Sequence, residues 1–537
     1  MASKPIPEFV DTVVVGNGPS ALILSYILHG HIPYYNSSTP HPDPILHRKL
    51  LDSPCLFDID IADLTAHFAA SRLSYSTQAL PANVLLDTLL RPLADTEPER
   101  YDTCIEWRFH QEKRVKHVVL GNTAKAGGQW ADNPVSASWG IGTLSYSEML
   151  SLPGYTIGHH YQKTEGRSVP DFYRPTRREV AEYLAAYPAQ VGIQDAIYSN
   201  EEVSGVRRID DGFCIGSHDV TCRNLVLASG TFANLIPPRV ALLPLNSLPD
   251  PNTVSDAPLL VVGSGFTAAD VIISTPPGRK IIHIFKWDPE GNPSPLRACH
   301  PRAYPEYASV YRHMKQAARN TLGLRQVTSP MRSRKSNPFF KDRDWEEIYE
   351  GLPNTYIKAV KMRGINALLT LVPCDGTLME REISNMEYVI GRRGSLSYLD
   401  HGIAGPTDRL DEHHKPLRKT LISGKTLRSD LEYTLKLAPK TFVIGSLTGD
   451  SLIRFAYGGC VFAAREIVKV SKSRRDTSDS SSSNSSMSLS TAPSSPMAPL
   501  PNGSATLGGH GDLHLDRKRK LHYGSEETKT CGMCDSG

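Results

Sequence analysis

The chain has 537 residues, 40% hydrophobic and 21% charged, with a formal net charge of +3. These are the values of an ordinary soluble enzyme with room for two or three domains. So small a charge excess leaves no electrostatic footprint for nucleic acid or a membrane surface, and no apolar run reaches the roughly 18–20 residues of a bilayer span. The N-terminus lacks the apolar core of a secretory signal. The nine cysteines follow no framework spacing and read as reduced thiols of a cytoplasmic protein.

The first informative stretch is Asp11–Ala21. A β-branched run, Thr12-Val13-Val14-Val15, ends in Gly16-Asn17-Gly18-Pro19-Ser20-Ala21 and passes straight into the apolar Leu22–Leu28. Strand, glycine turn and helix in that order open a dinucleotide-binding fold. Gly16 allows the tight turn, Gly18 lets backbone approach a pyrophosphate, and Ala21 lets the helix lie close on the strand. The helix N-terminus then supplies oriented N–H groups for phosphates. His29-Gly30 reads as the helix stop and Ile32–Tyr35 as the second strand. An acid for the adenosine ribose is expected at that strand's end, but Asn36 stands there and the next carboxylate is Asp43.

Residues 50–102 carry helix-like pieces (59–70 and 83–90) without assignable chemistry, and 103–120 is strand-rich. In the loop Ala126-Gly127-Gly128-Gln129-Trp130, paired glycines permit main chain to lie against a flat ring, and Trp130 can wall it. A plain loop beside a half-buried Trp fits the same residues. Thr176 is a helix N-cap. Asn224–Leu227 is a buried strand running into the small-residue turn Ala228-Ser229-Gly230, and a proline-rich crossing leads on to Pro258.

Leu259–Val262 then repeats the opening: Gly263-Ser264-Gly265-Phe266-Thr267-Ala268 follows it and leads into another apolar helix. Two such turns, each between strand and helix, imply two dinucleotide sites, as in a flavin enzyme that also docks a nicotinamide cofactor. Lys286 ends the next strand, where a cation accepts the 2′-phosphate of NADP and an acid would select NAD. Residues 304–343 are basic and read as a solvated helical excursion, not a nucleic-acid surface, because no aromatics are interleaved as stacking platforms. Asn385–Gly391 is a return crossing, and Lys440–Asp450 a last strand and turn with Gly445 and Asp450, followed by a helix over 452–469. From Ser471 serine dominates and apolar periodicity is lost, the composition of a disordered tail. Its basic run 516–520 is a candidate nuclear-import patch, and Cys531 with Cys534 lacks a second ligand pair.

These positions together resemble the flavin-containing monooxygenases and, within that superfamily, the oxidative stress-induced growth inhibitor family. The residues that carry the resemblance are Val15–Ser20, Val119-Leu120-Gly121 with Gly127–Trp130, Tyr304-Pro305-Glu306-Tyr307, and Gly449–Gly459. The resemblance spans about residues 8 to 470 and implies FAD and NADPH as cofactors, with a role in restraining cell growth and in cell division. It implies Gly16, Gly18 and Ala21 on the FAD pyrophosphate, with Pro19 and Ser20 in the same turn. Gly127, Gly128, Gln129 and Trp130 fall near the flavin, Gly230, Gly445 and Asp450 along its remaining edge, and Gly263, Gly265, Phe266, Thr267, Ala268 and Lys286 on NADP. Two features of the superfamily are missing: residues 231–257 contain no histidine where a Phe-x-Gly-x-x-x-His fingerprint stands, and 140–150 contain no Asn.

The expected fold is α/β, with two Rossmann-like dinucleotide-binding domains. The FAD domain is split into 8–245 and 391–470, the NADP domain (256–390) is inserted, and 471–537 is a disordered tail. The expected activity is an NADPH-dependent flavin monooxygenase acting through a C4a-(hydro)peroxyflavin, for which no side-chain nucleophile or acid–base pair is required. The alternative is a flavin- and NADPH-binding regulator of growth that acts through protein partners. A disulfide reductase needs a redox cysteine pair, and no Cys-x-x-Cys precedes the tail.

Overall fold

A computed structural model describes residues 4–71, 79–92, 103–133, 135–249, 256–321, 343–400, 403, 421–431 and 434–482. The chain divides into the units Met1–Ser480 and Ser481–Gly537, the second lying almost wholly outside the described residues.

The organising sheet starts with β1 (Phe9–Val15), whose valines are buried on both faces. A parallel strand covered on both sides must read as a continuous apolar run, and Thr12–Val15 does. Next come α1 (Pro19–Leu28), β2 (His31–Tyr35), α2 (Pro81–Leu90), β3 (Ile105–Phe109) and β4 (His117–Gly121). They are followed by α3 (Arg177–Gln190), β5 (Ile197–Ser199), the hairpin β6 (Val206–Ile209) and β7 (Gly212–Ile215), and β8 (Val220–Leu227). In the sheet β1 lies between β8 and β4, both parallel to it, and β5 extends the β4 side in parallel. This is the arrangement of a doubly wound fold, in which the strand order reverses beside the first strand and opens a crevice at the strands' carboxyl ends. Leu22, Ile23, Leu24, Ile27 and Leu28 of α1 are fully buried, each contributing about 1.5–3 kcal/mol of burial.

The strand after α1 corrects the sequence expectation. Residues 32–35 do form β2, but it pairs antiparallel with β3 in a separate two-stranded sheet. The place beside β1 belongs to β4. A short run rich in Ile and Tyr forms a strand wherever it finds a partner, so composition could not say which sheet it joins. The helix-like piece 59–70 becomes two short elements, Ile61–Thr65 and Phe68–Ala70.

The chain crosses to a second sheet through β9 (Asn234–Leu235). That sheet holds β10 (Leu259–Val262), which leads into α4 (Phe266–Ser274), then β11 (Ile281–Phe285), α5 (Pro305–Thr321) and β12 (Tyr349–Pro353). An antiparallel trio follows, β13 (Tyr356–Arg363), β14 (Asn366–Val372) and β15 (Met379–Ile383), before β16 (Asn385–Tyr388). The parallel order is β12-β11-β10-β16. The return is made by β17 (Arg392–Ser395), which pairs antiparallel with β9, so both crossings share one ribbon. After β18 (Leu421–Ile422), β19 (Lys436–Ala438) and β20 (Thr441–Val443) rejoin the first sheet, β20 parallel to β8. The last helix, α6 (Tyr457–Ser482), starts later than expected and runs past residue 470. The tail from 483 on, with its basic patch and cysteines, and residues 322–342 of the basic stretch lie outside the described residues. The sheets thus follow the chain in the order first, second, first, and on that order we propose 8–245, 256–390 and 391–470 as the domain segments. No described helix is long and apolar enough to cross a membrane.

Burial holds several histidines neutral. It pushes His117 down to about 3 and His41, His283 and His313 down to about 4, from the ordinary value near 6.5. Between those values and 6.5 the unfolded chain binds more protons than the folded one. The stability these groups contribute is therefore complete above about pH 6.5 and lost as pH falls. Asp270, raised to about 6 by burial, opposes this and offsets part of one histidine. Denaturant midpoints taken from pH 7.5 down to 4.5 are expected to fall below about pH 6.5, by up to about 1.4 kcal/mol per pH unit for each histidine forced to charge. A flat profile to pH 5 would contradict the burial of these rings.

Candidate functional site

At the carboxyl ends of β1, β4, β5 and β8 lies a cavity of about 440 Å³. Its walls include Gly16, Gly18, Pro19 and Ser20 of the first turn, Gly127–Trp130 of the paired-glycine loop, Gly230, and Asp450 with Ser446 of the last turn. Of the residues expected in the first site, the structure brings all to this cavity except Ala21 and Gly445, which lie just behind it. Ala21 is fully buried. Gly445 packs so closely on α1 that a Cβ there would stand 2.3 Å from Ser20 Oγ.

Two contacts shape the cradle. Gly16 has φ +110°, and a Cβ on it would lie 2.5 Å from the Ala228 carbonyl oxygen, so the turn holds only a glycine. A Cβ on Gly128 would lie 3.1 Å from Gly18 Cα, which brings the two glycine loops face to face. Gly18 also caps α1 without a side-chain hydrogen bond, leaving the helix's first N–H groups for a ligand.

Asn17, between the two glycines, was not singled out from sequence. It is buried. Its Oδ1 accepts from Thr123 Oγ1 at 2.8 Å, its Nδ2 donates to the Thr123 and Lys125 carbonyls at 3.4 and 3.3 Å, and its own carbonyl accepts from Gly127 N–H at 2.9 Å. It thereby locks the first turn to the 121–127 loop. Because β4 is the strand beside β1, the strand end at which an acid was expected is Gly121, not Tyr35. Asn122 and Thr123 line the cavity there, with Glu201 and Glu202 from the end of β5.

Asp450 is buried and committed to protein. One oxygen accepts from Arg428 Nη1 at 2.7 Å; the other accepts from Leu80 N–H at 2.9 Å and Asn83 Nδ2 at 2.6 Å. Asn83 Oδ1 in turn accepts from Gly459 N–H of α6 at 2.8 Å. The same helix α2 carries Asp87, ion-paired to Arg454 at 2.6 Å and Arg91 at 2.7 Å. The segment to which sequence assigned no chemistry therefore holds the last turn in place. Cys460 Sγ lies 3.2 Å from the Ser20 carbonyl, buried and pushed up by that burial. No disulfide joins the described cysteines, and none of them lines the cavity.

The second turn is built on the same rule. Gly263 has φ +152°, and a Cβ there would meet the Val389 carbonyl oxygen at 2.5 Å. Gly265 caps α4 without a side-chain bond, Phe266 and Thr267 are half-buried, and Ala268 is buried behind them. His283, also missed in the sequence, fixes the turn from β11. Its Nε2 lies 2.6 Å from the Gly263 carbonyl, which can only accept, so Nε2 carries the proton and Nδ1 accepts from Tyr349 OH at 2.8 Å. Lys286 is exposed just past β11. Arg392, just past Val389, reaches the paired-glycine loop: its Nη1 donates to Gln129 Oε1 at 2.9 Å and to the Phe232 carbonyl at 3.2 Å.

Asp450→Ala is expected to lower stability by about 2–4 kcal/mol in chemical denaturation, because it strands Leu80 N–H, Asn83 and Arg428. Unchanged stability with altered ligand binding would show instead that the carboxylate serves the ligand.

No family model matches the chain. Curated relatives do. Oxidative stress-induced growth inhibitor 1 of Mus musculus is 26% identical over 509 residues, which cover 87% of this chain and 96% of that protein. Oxidative stress-induced growth inhibitor 2 of Homo sapiens is 25% identical over 522 residues, covering 86% and 94%. Among solved structures, a flavin monooxygenase mutant from Stenotrophomonas maltophilia is 14% identical, with TM-score 0.45, and covers 86% of this chain and 99% of that one. A bacillithiol disulfide reductase from Bacillus cereus is 11% identical, with TM-score 0.48, and covers 86% and 99%. Over most of its length, then, this chain resembles the oxidative stress-induced growth inhibitors, as its glycine turns and last turn imply.

Proposed function

We propose that this chain is an NADPH-dependent, FAD-containing oxidoreductase of the monooxygenase type, with a role in restraining cell growth and division. The observation that carries the reading is the pair of strand–glycine–helix turns, at Gly16 and Gly263. Each is pressed on a carbonyl where a Cβ would collide, and each opens a helix with no side-chain cap. Such turns accept a pyrophosphate against bare backbone. A bound flavin would supply the chemistry itself, taking hydride from the nicotinamide and activating oxygen.

The protein's part is binding and shielding. Gly16–Ser20 and the α1 N-terminus would hold the FAD pyrophosphate, with the facing Gly127–Gly128 loop closing over it. Trp130 would wall the ring, and Gly230 with the Gly445–Asp450 turn would support the remainder of the cofactor. Gly263–Ala268 would hold NADPH, with Lys286 selecting its 2′-phosphate. No side chain is asked to act as nucleophile or general base. A cytoplasmic site with nuclear access through the basic run is part of the same proposal.

The second reading, a flavin- and NADPH-binding regulator that acts through partner contacts, is favoured by the growth-inhibitor names of the relatives. Anaerobic mixing of the FAD-loaded protein with each nicotinamide separates the two. The first reading predicts that NADPH bleaches the oxidised-flavin band at least about tenfold faster than NADH, a difference of about 1.4 kcal/mol, and that air restores the band with NADPH consumption. No bleaching by either donor selects the regulator.

A further inference from the structure

Two arginines meet at Asn133, and among the described residues no carboxylate forms an ion pair with either. Arg177 opens α3 and is 7% exposed. Its Nη1 donates to the Ala137 carbonyl at 3.1 Å and its Nη2 to the Asn133 carbonyl at 3.4 Å, while the guanidinium lies 4.1 Å from the centre of the Trp139 ring. Among the described residues its buried Nε has no acceptor. Arg392 reaches back from β17 to Gln129, the Phe232 carbonyl and Asn133 Oδ1. Every one of these acceptors is neutral.

Buried cations ordinarily carry a carboxylate, as Arg454 does with Asp87 and Arg174 with Glu306. Here burial lowers both guanidinium groups, and at Arg392 the charge of Arg177 adds to it. The carboxylate that feels both is Asp270 on α4, and it spends its hydrogen bond on Tyr307 OH at 2.7 Å.

Both arginines are tied to the second glycine turn. The loop that holds Arg177 lies on α4: Ser138 N–H donates to Ser274 Oγ at 2.8 Å, and Val135 and Ala137 pack in one core with Phe266 and Ala268. Arg392 closely follows Val389, whose carbonyl stands against Gly263. The first turn of α4 carries no acidic residue. Two cations that share one nearby carboxylate, Asp270, without a hydrogen bond to it, on segments next to a helix whose start is uncapped, are arranged for a further anion.

We infer that Arg177 and Arg392 form a two-armed clamp for the pyrophosphate of the dinucleotide seated at the Gly263 turn. This residue assignment rests on the nicotinamide reading above, and it gives the cleft a cation pair that no glycine motif reveals.

The test is isothermal titration of the FAD-loaded full chain with NADP⁺ and, separately, with nicotinamide mononucleotide, which lacks the pyrophosphate. It compares wild type, Arg392→Gln, Arg392→Lys and Asp270→Asn, with flavin content and thermal unfolding read on each. The clamp predicts that Arg392→Gln weakens NADP⁺ about tenfold or more and leaves the mononucleotide nearly unchanged. It also predicts that Arg392→Lys recovers part of the loss and that Asp270→Asn tightens NADP⁺. Equal NADP⁺ affinity in wild type and Arg392→Gln overturns the clamp and leaves the nicotinamide reading standing. Loss of flavin from Arg392→Gln, or weakening by Asp270→Asn as well, makes the effect structural and also overturns the clamp. A wild type that binds no NADP⁺ overturns both the clamp and the reading beneath it.

Discussion

The cleft depends on main chain lying directly against main chain at two places. At Gly16 the backbone presses on Ala228, and at Gly263 on Val389, with no room for a β-carbon at either. Each contact lets a strand end, a turn and a helix start share one small volume, so that N–H groups at the helix start face open space. The neighbouring strands then fix the rest. β8 brings Ala228–Gly230 to the first turn, β4 brings the Asn122–Trp130 loop, and β16 brings Val389 to the second turn, with Arg392 just beyond it.

Buried charge falls into two kinds in this molecule, and the difference separates scaffold from site. Asp450 with Arg428, and Asp87 with Arg454 and Arg91, are fully partnered and hold α2, the last turn and α6 as one block. Removing one member of such a set costs more than the set contributes, since it leaves the others desolvated and unpaired. Arg177 and Arg392 hydrogen-bond only to neutral oxygens, with Asp270 a shared carboxylate neighbour that bonds to neither. A protein carries that imbalance at low cost only where an anion completes it.

Much of this was legible in the sequence because the chemistry restricts residue type. Positive φ at Gly16 and Gly263 demands glycine, and a close helix–strand contact demands small residues at Ala21 and Ala268; both leave marks in a local pattern. The N-cap at Thr176 was legible for the same reason, since its hydrogen bonds stay within one turn of helix, where the structure adds Glu179 to complete a capping box. What the sequence hid depends on distance along the chain. The strand beside β1 lies far beyond α1, after an excursion containing β2, α2 and β3, and nothing local distinguishes the strand of β2 from that of β4. Asn17, His283 and Arg392 each act through a partner remote in sequence, at Thr123, Gly263 and Gln129. Asp450 was read into the cofactor site from the family resemblance; its partners on α2 could not be seen. The extension of α6 through Ser482 runs against composition, for serine is a weak helix former but not a breaker.

The central claim is that two backbone cradles present two nucleotides to one shared cleft. A crystal structure of the protein soaked with FAD and NADP⁺ tests it most directly. The account predicts pyrophosphate density on the N–H groups after Gly16 and after Gly263, with the flavin and nicotinamide rings meeting between Trp130 and Arg392. Density for only one nucleotide, or for two whose rings point into separate spaces, would contradict it.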